Sequence, residues 1–454
     1  MEIFERNFEE NLAHFTHQLR HDQMTRFRTE FLALHYYDQA KLFKSLEDED
    51  RLKIYQYLSP SELAEIFDML ENEHEEIEGY FEEMANPYAA SVLSEMYPDN
   101  AVDVLNNISN RERVNLYLHL MPTDSAREIS RLMNYLDDTA GSIMTTEYIA
   151  VDMDLTLQEA YYYLRQQAID AETIYYVYVI DEEKHLRGVL SLRELIINEE
   201  SKKVKDMMNT RVISVQVNDD VEEVAQLVQD YDLLAMPVVG FDSELLGIIT
   251  VDDILDVVKE EAESDYSGLA AVDVSEVHET PGSAARSRLP WLITLLFLGM
   301  GTSTLISRYD ALISQASVLS AFVTLITGTA GNAGTQSLAV AVRKITNKTE
   351  DTHVVKAFFF ELLTGVATGL IVGIAVFLIV VAWQRNIALG GVTAVSMAAA
   401  IIVANLAGAL IPKLMDKIGF DPAVASGPFI TTLSDLTSVF IYFTVAQMFM
   451  DYLL

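Results

Sequence analysis

A carboxylate in the middle of an apolar run is the first residue in this chain able to do chemistry. Asp435 stands near the centre of residues 422–450. A charge at bilayer depth costs at least about 2.5 to 3.5 kcal/mol on insertion scales, so it belongs in a bundle interior or against water. Thr431 and Ser438 lie four residues before and three after it, on one helix face, and give a stripe of oxygen atoms. Oxygen ligation suits a hard cation, and Mg²⁺ gives up its waters reluctantly, so one carboxylate per subunit can hold a hydrated ion through those waters. A ring of such carboxylates selects cations over anions. The alternative is a buried hydrogen-bond network between Asp435 and Asn332 or Asn405. Gly427 and Pro428 interrupt the first turns of the run, because proline has no N–H to donate, and freed carbonyls there can face a pore. Glu361, near the end of an earlier apolar run, either joins the ion path or snorkels toward water and pairs with Lys356.

Further acids are spaced for cation binding outside the apolar runs. Asp99 and Asp103 are four apart and share a helix face, a geometry that repels itself until a cation bridges it. Acids recur at 252, 253, 256, 260, 261, 263 and 265. A charge run is usually a solvated face, but this one leads directly toward the first apolar span, which suits a coupling of sensing to gating. No catalytic constellation is present, and the nine histidines form no metal-spaced cluster, so an enzyme is not indicated. With no cysteine, disulfides, thiolate zinc sites and thiol catalysis are excluded.

The elements that must position these acids follow from composition. The 454 residues exceed one compact core. From Arg286 onward there are ten Lys/Arg and eight Asp/Glu, leaving 21 basic and 60 acidic residues before it. An acidic soluble half therefore precedes a nearly neutral apolar half. So negative a body repels nucleic acid and recruits cations. The N-terminus lacks the apolar core of a signal peptide. Five apolar runs of bilayer length follow Arg288: residues 289–306, 311–342, 357–383, 387–412 and 422–450. Flanking loops on one side carry eight Lys/Arg and on the other only Arg308 and Arg385, which places the acidic half in the cytosol of an inner-membrane protein and the C-terminus outside. Within the second run, residues 327–336 (TGTAGNAGTQ) contain three glycines and an asparagine. They are either a cavity-lining helix break or small residues for close helix packing.

Between residues 136 and 260 a strand–helix–strand–strand–helix pattern occurs twice. IMTTEYIAV at 143–151 answers MMNTRVISV at 207–215, and Gly188 and Gly247 fall at equivalent turns. The tandem resembles a pair of CBS domains, one over 136–200 and one over 201–260. In such pairs the positions of Thr250 and Asp253 often bind ribose and phosphate, which makes ATP a candidate ligand. The first 135 residues are helical throughout, with a capping box and N1 proline at 59–62 and weakly similar helix pairs that suggest a superhelical array.

Together, the helical N domain (1–135), the CBS pair, an acidic connecting helix and linker (261–285) and a five-helix membrane domain (286–454) with GNAGTQS and DPAVASGPFITTLSD resemble the MgtE magnesium channels over essentially the whole chain. AETIYY, GVLSLREL and VDDILDVV lie in that family's order. The resemblance implies an all-α N domain, an α+β CBS pair and an α-helical five-span pore. It implies a homodimer conducting Mg²⁺ along a path at Asp435, Thr431 and Gly427, with Asn332 and Glu361 as further candidate pore residues. It further implies regulatory Mg²⁺ at Asp99, Asp103, Asp232, Asp253, Asp256, Glu261 and Asp265, with Asp220 and Glu222 as weaker positions. The alternatives are a carrier, or a CBS-gated channel for another divalent cation. Two departures stand out: Thr335 replaces an asparagine of GNAGNQS, and Ser264 replaces an acid.

Overall fold

The computed structural model describes residues 7–70, 74–169, 171–272, 280–346, 354–418 and 427–453. The chain forms two compact units, Met1–Val258 and Lys259–Leu454.

In the first unit the described residues from Phe8 to Leu132 form ten short helices. Most pack on the helix two along rather than on the next, which builds an array. Its core is a column of rings: Phe43 meets Phe67 at 5.5 Å, Phe67 meets Phe81 at 5.1 Å, and Phe81 meets Tyr117 at 6.3 Å. Such edge-on ring pairs bury large apolar area in fixed geometry. Ser59 and Glu62 close the expected capping box around Pro60.

The tandem then forms two three-stranded sheets. The first pairs β1 (Ala150–Asp152) parallel to β2 (Tyr176–Ile180), with β3 (Leu186–Ser191) antiparallel; β4 (Val215–Gln216), β5 (Ala235–Val239) and β6 (Leu245–Thr250) repeat this order. Gly188 and Gly247 are not in turns. They lie inside β3 and β6, opposite Val179 and Val238. The lead segment of each copy crosses the sheet of the other, with Thr145 bridging Ile248 and Asn209 bridging Val189. A Cβ on Gly247 would stand 2.5 Å from the Thr145 carbonyl, so the strand glycines exist for this close crossing.

The helix Val251–Ala270 follows β6 directly. Among the described residues of the second unit, four helices are long and apolar enough to cross a membrane: Pro281–Ser307, Lys356–Gln384, Ile387–Met415 and Gly427–Met448. The expected run 311–342 divides into a short helix Asp310–Gln315, a single 3₁₀ turn Ser317–Leu319 and a long helix Ser320–Thr346 that is more polar than the other four. Residues 327–336 make no break in that helix. Their glycines serve contact instead: a Cβ on Gly331 would meet Thr431 at 2.7 Å, and one on Gly408 would meet the Gly334 carbonyl at 2.2 Å. Gly365, Gly369 and Gly373, one per turn, likewise face Ile402, Ala398 and Ala394. Helices without a hydrophobic drive between them associate through such small-residue faces. The last long helix begins at Gly427 with Pro428 in its first turn, where a missing N–H costs no helical bond. Pro428 thus starts the helix rather than interrupting it, and the stretch 422–426 of the expected span lies outside the described residues.

Candidate cation sites

In the first unit, three elements bring acids together. The helix Pro98–Asn107 supplies Asp99, the segment before β2 supplies Glu172, and the helix after β6 supplies Asp252 and Asp253. Carboxylate oxygens of Glu172, Asp252 and Asp253 lie within 4.8 Å of one another. Asp99 is 5 % exposed, and its carboxyl is raised well above the usual range by burial and then by the charges of Glu172 and Asp253. Burial and Asp253 push Glu172 up to about 7. Burial also raises Asp253 to about 6, against the hydrogen bond from Thr250. Asp99 Oδ1 and Glu172 Oε2 are buried without a hydrogen-bond partner among the described residues. Packed acids with orphaned oxygens are the donor set of a hard cation such as Mg²⁺.

Asp68 positions this site. Its Oδ1 accepts from Tyr97 N at 3.4 Å and Asn100 Nδ2 at 3.0 Å, fixing the start of the Asp99 helix. Burial raises its carboxyl to about 7. Sequence reasoning missed both Asp68 and Glu172. Glu172 stood within AETIYY, and the long helix that supplies Asp253 gave no sign that it would meet it.

The other expected regulatory acids are placed differently. Asp103 lies one turn after Asp99 and adds to its repulsion. Asp220 caps the helix Val221–Tyr231 by accepting from Glu222 N at 2.9 Å, and both side chains are exposed. Asp232 ends that helix in a left-handed conformation, φ 51°. Asp256, Glu261 and Asp265 follow Asp253 along the Val251–Ala270 helix. The Thr250 hydroxyl donates to Asp253 Oδ2 at 2.5 Å, so this pair closes a helix cap inside the acidic site. A cavity of about 430 Å³ opens instead along the first copy, lined by Tyr175, Tyr176, Ser191, Arg193 and Ile196 among others and by Leu234 of the second copy.

In the second unit Asp435 is half-buried, and among the described residues its carboxylate has no hydrogen bond or ion pair, with Asn332 and Asn405 included. The Thr431 hydroxyl donates to the Gly427 carbonyl at 2.6 Å. Ser438 departs from the expected stripe: it is fully buried beside Ser434, and neither hydroxyl has a hydrogen-bond partner among the described residues. Asn332 is exposed on the Ser320–Thr346 helix. The methyl of Thr335 lies 3.7 Å from where a Cβ on Gly427 would be. Glu361 does not snorkel. It is buried, with Oε2 3.2 Å from Ser337 Oγ, which is also 2.9 Å from the Asn405 carbonyl.

An apolar helical unit holding Asp435, a carboxylate without a partner among the described residues, joined to an acidic half with its own carboxylate site, defines a membrane protein that handles cations through oxygen ligands. The comparisons give the class its name. Residues 323–445 match a family described as a divalent cation transporter, 34–138 the MgtE intracellular N domain, and 140–199 and 204–260 the CBS domain. The chain is 55 % identical to the magnesium transporter MgtE of Enterococcus faecalis over 98 % of each chain, and 36 % identical to that of Bacillus subtilis over 95 % of each. The soluble part of a magnesium transporter, 50 % identical, aligns over 56 % of this chain and 100 % of its own with a TM-score of 0.55. The cytosolic domain of the Mg²⁺ channel MgtE in complex with ATP, 34 % identical, aligns over 54 % and 99 % with a TM-score of 0.51. This chain belongs to the MgtE family of magnesium transporters.

Proposed function

We propose that this chain is a Mg²⁺-selective channel for magnesium uptake, working as a homodimer and closed by cytosolic Mg²⁺. The observation that carries the regulatory part is the pair of orphaned, buried oxygens on Asp99 and Glu172, facing Asp253, with no ion pair to a basic residue among the described residues. Such packing repels itself until a divalent cation enters it, so the ion favours the packed arrangement and stabilises it by linkage. A tenfold preference per site contributes about 1.4 kcal/mol, and four such sites about 5.5 kcal/mol, enough to move a 1:99 equilibrium to 99:1. Asp103, Asp256, Glu261 and Asp265 supply further acids for such sites; Asp220, Glu222 and Asp232, spent on helix ends or exposed, contribute less.

Conduction rests on Asp435. Its half-buried, unpartnered carboxylate, facing its equivalent in a second copy, would hold a hydrated ion, with Thr431, Gly427 and Asn332 along the path. The Ser320–Thr346 helix counts as a fifth span: its 27 residues reach about 40 Å, and its exposed Asn332 and Gln336 suit water better than lipid. Five spans with the acidic half in the cytosol put the C-terminus outside. Glu361, tied to Ser337, braces the bundle. The helix that starts with Asp252 and Asp253 ends at Leu269 against Leu338, Val342 and Ile430, at the start of the Asp435 helix, which gives closure a route to the pore.

ATP is the further ligand, and the Tyr175–Arg193 cavity suits it better than Thr250 and Asp253 do. Aromatic faces can stack a purine and Arg193 can meet a phosphate, whereas Asp253 stands among acids. Patch recording with stepped cytosolic Mg²⁺ tests the whole proposal. Discrete currents that shut as Mg²⁺ rises support it, while uptake without unitary currents points to a carrier.

A further inference from the structure

Two histidines on the helix Phe8–Arg20 and its cap belong to none of these sites. His17 and His21 are four residues apart, so the helix brings them to one face. Their ring centroids lie 4.0 Å apart with planes 20° from parallel, and both side chains are exposed. His21 Nδ1 is 2.9 Å from the His17 carbonyl oxygen. A carbonyl oxygen only accepts, so Nδ1 carries the hydrogen and the lone pair of His21 is on Nε2. A backbone carbonyl fixing the tautomer in this way is the usual support of a metal-ligating histidine. The His17 ring makes no hydrogen bond among the described residues.

We propose that His17 and His21 form a two-imidazole chelate for a transition-metal dication of the Zn²⁺, Co²⁺ or Ni²⁺ class, separate from the oxygen sites for Mg²⁺. Imidazole nitrogen suits these ions, whereas Mg²⁺ demands oxygen and keeps its water. Two Zn–N bonds of about 2.1 Å at a tetrahedral angle need nitrogens about 3.4 Å apart. Near-parallel rings 4.0 Å apart keep their in-plane lone pairs from meeting at one ion, so chelation turns the His17 ring, which has no hydrogen bond among the described residues, toward Nε2 of His21. Water fills the other positions of an exposed site. Asp22, the next residue, is already paired with Lys53 at 2.7 Å. The acidic half would then carry two inputs of different chemistry, one for hard ions through carboxylates and one for borderline ions through nitrogen.

The test uses the full-length, untagged protein in detergent with millimolar Mg²⁺ present to occupy oxygen sites. Titration with Zn²⁺ by calorimetry should show one ion per chain, and Co²⁺ should give the visible absorption of a nitrogen-ligated ion. His17→Gln and His21→Gln should each lower Zn²⁺ affinity by about tenfold or more. Glu172→Gln should leave it unchanged. Equal Zn²⁺ binding by the double histidine variant, or its displacement by millimolar Mg²⁺, would overturn the assignment. So would the lack of a Zn²⁺ equivalent in a wild type that elutes as folded protein.

Discussion

The carbonyl oxygen of Leu269 lies 3.1 Å from the point that a Cβ on Gly427 would occupy. A Cβ there would be tighter than ordinary contact, so glycine favours the close approach of the last turn of the Val251–Ala270 helix to the start of the Asp435 helix, where Leu269 also joins Leu338, Val342 and Ile430. In Gly427→Ala the added methyl meets backbone, which gives way less readily than a side-chain tip. Closure should weaken, with the half-closing Mg²⁺ concentration rising about tenfold, or about 1.4 kcal/mol. Recording current against cytosolic Mg²⁺ checks this, and an unshifted curve would remove the contact from the closing mechanism.

Asp435→Ala should abolish Mg²⁺ uptake while leaving the helical content and elution volume of the protein unchanged. No hydrogen bond or ion pair among the described residues depends on this carboxylate, so its removal leaves no partner stranded. Uptake by reconstituted vesicles at the wild-type rate would end its assignment to the ion path.

The acidic site predicts a graded response. Glu172→Gln and Asp253→Asn each remove one charge from a mutually repelling set, so the packed arrangement should need less Mg²⁺ to form but also gain less from it. Protease cleavage of the acidic half, which should slow in the wild type as Mg²⁺ rises to millimolar levels, should become nearly independent of Mg²⁺ in the double variant. A wild-type cleavage rate that ignores Mg²⁺ would count against the sensor.

The helix-helix contacts give a stability prediction. A Cβ on Gly408 would stand 2.2 Å from the Gly334 carbonyl, so Gly408→Ala must separate two packed backbones. Overpacking of this kind costs about 1 to 3 kcal/mol, and the thermal midpoint in detergent should fall. An unchanged midpoint would show that this contact does not bear on bundle stability.

Periodicity and composition made much of this architecture legible. The capping box at Ser59–Glu62 and the repeated strand order follow from local pattern, and the structure shows both where they were expected. What failed depended on partners distant in sequence. Glycines at 328, 331 and 334 look alike whether they break a helix or admit another backbone, and only the approach of Gly408 and Thr431 distinguishes the two. Glu361 resembled a snorkelling acid until Ser337 was seen to meet it from another helix. Glu172 was silent because its meaning lies in Asp99 and Asp253, well away from it along the chain.

The raised carboxyls set the last expectation, for pH. Glu172 and Asp253 titrate near 7 and 6 when packed, and Asp99 is raised as well, against ordinary values of 4.5, 3.8 and 3.8. The packed state therefore binds protons more tightly than the separated one, and its stability rises as pH falls. Without Mg²⁺, the contribution of these groups should be fully present below about pH 4 and lost as pH climbs through about 6 to 7. A bound divalent cation replaces the protons, so millimolar Mg²⁺ should flatten the dependence at neutral pH. Amide hydrogen exchange around Asp99 and Glu172, compared at pH 5.5 and 8 after correction for intrinsic rates, measures this directly. Equal protection at both values without Mg²⁺, or a pH effect that Mg²⁺ leaves intact, would mean that protons and cations do not share this site.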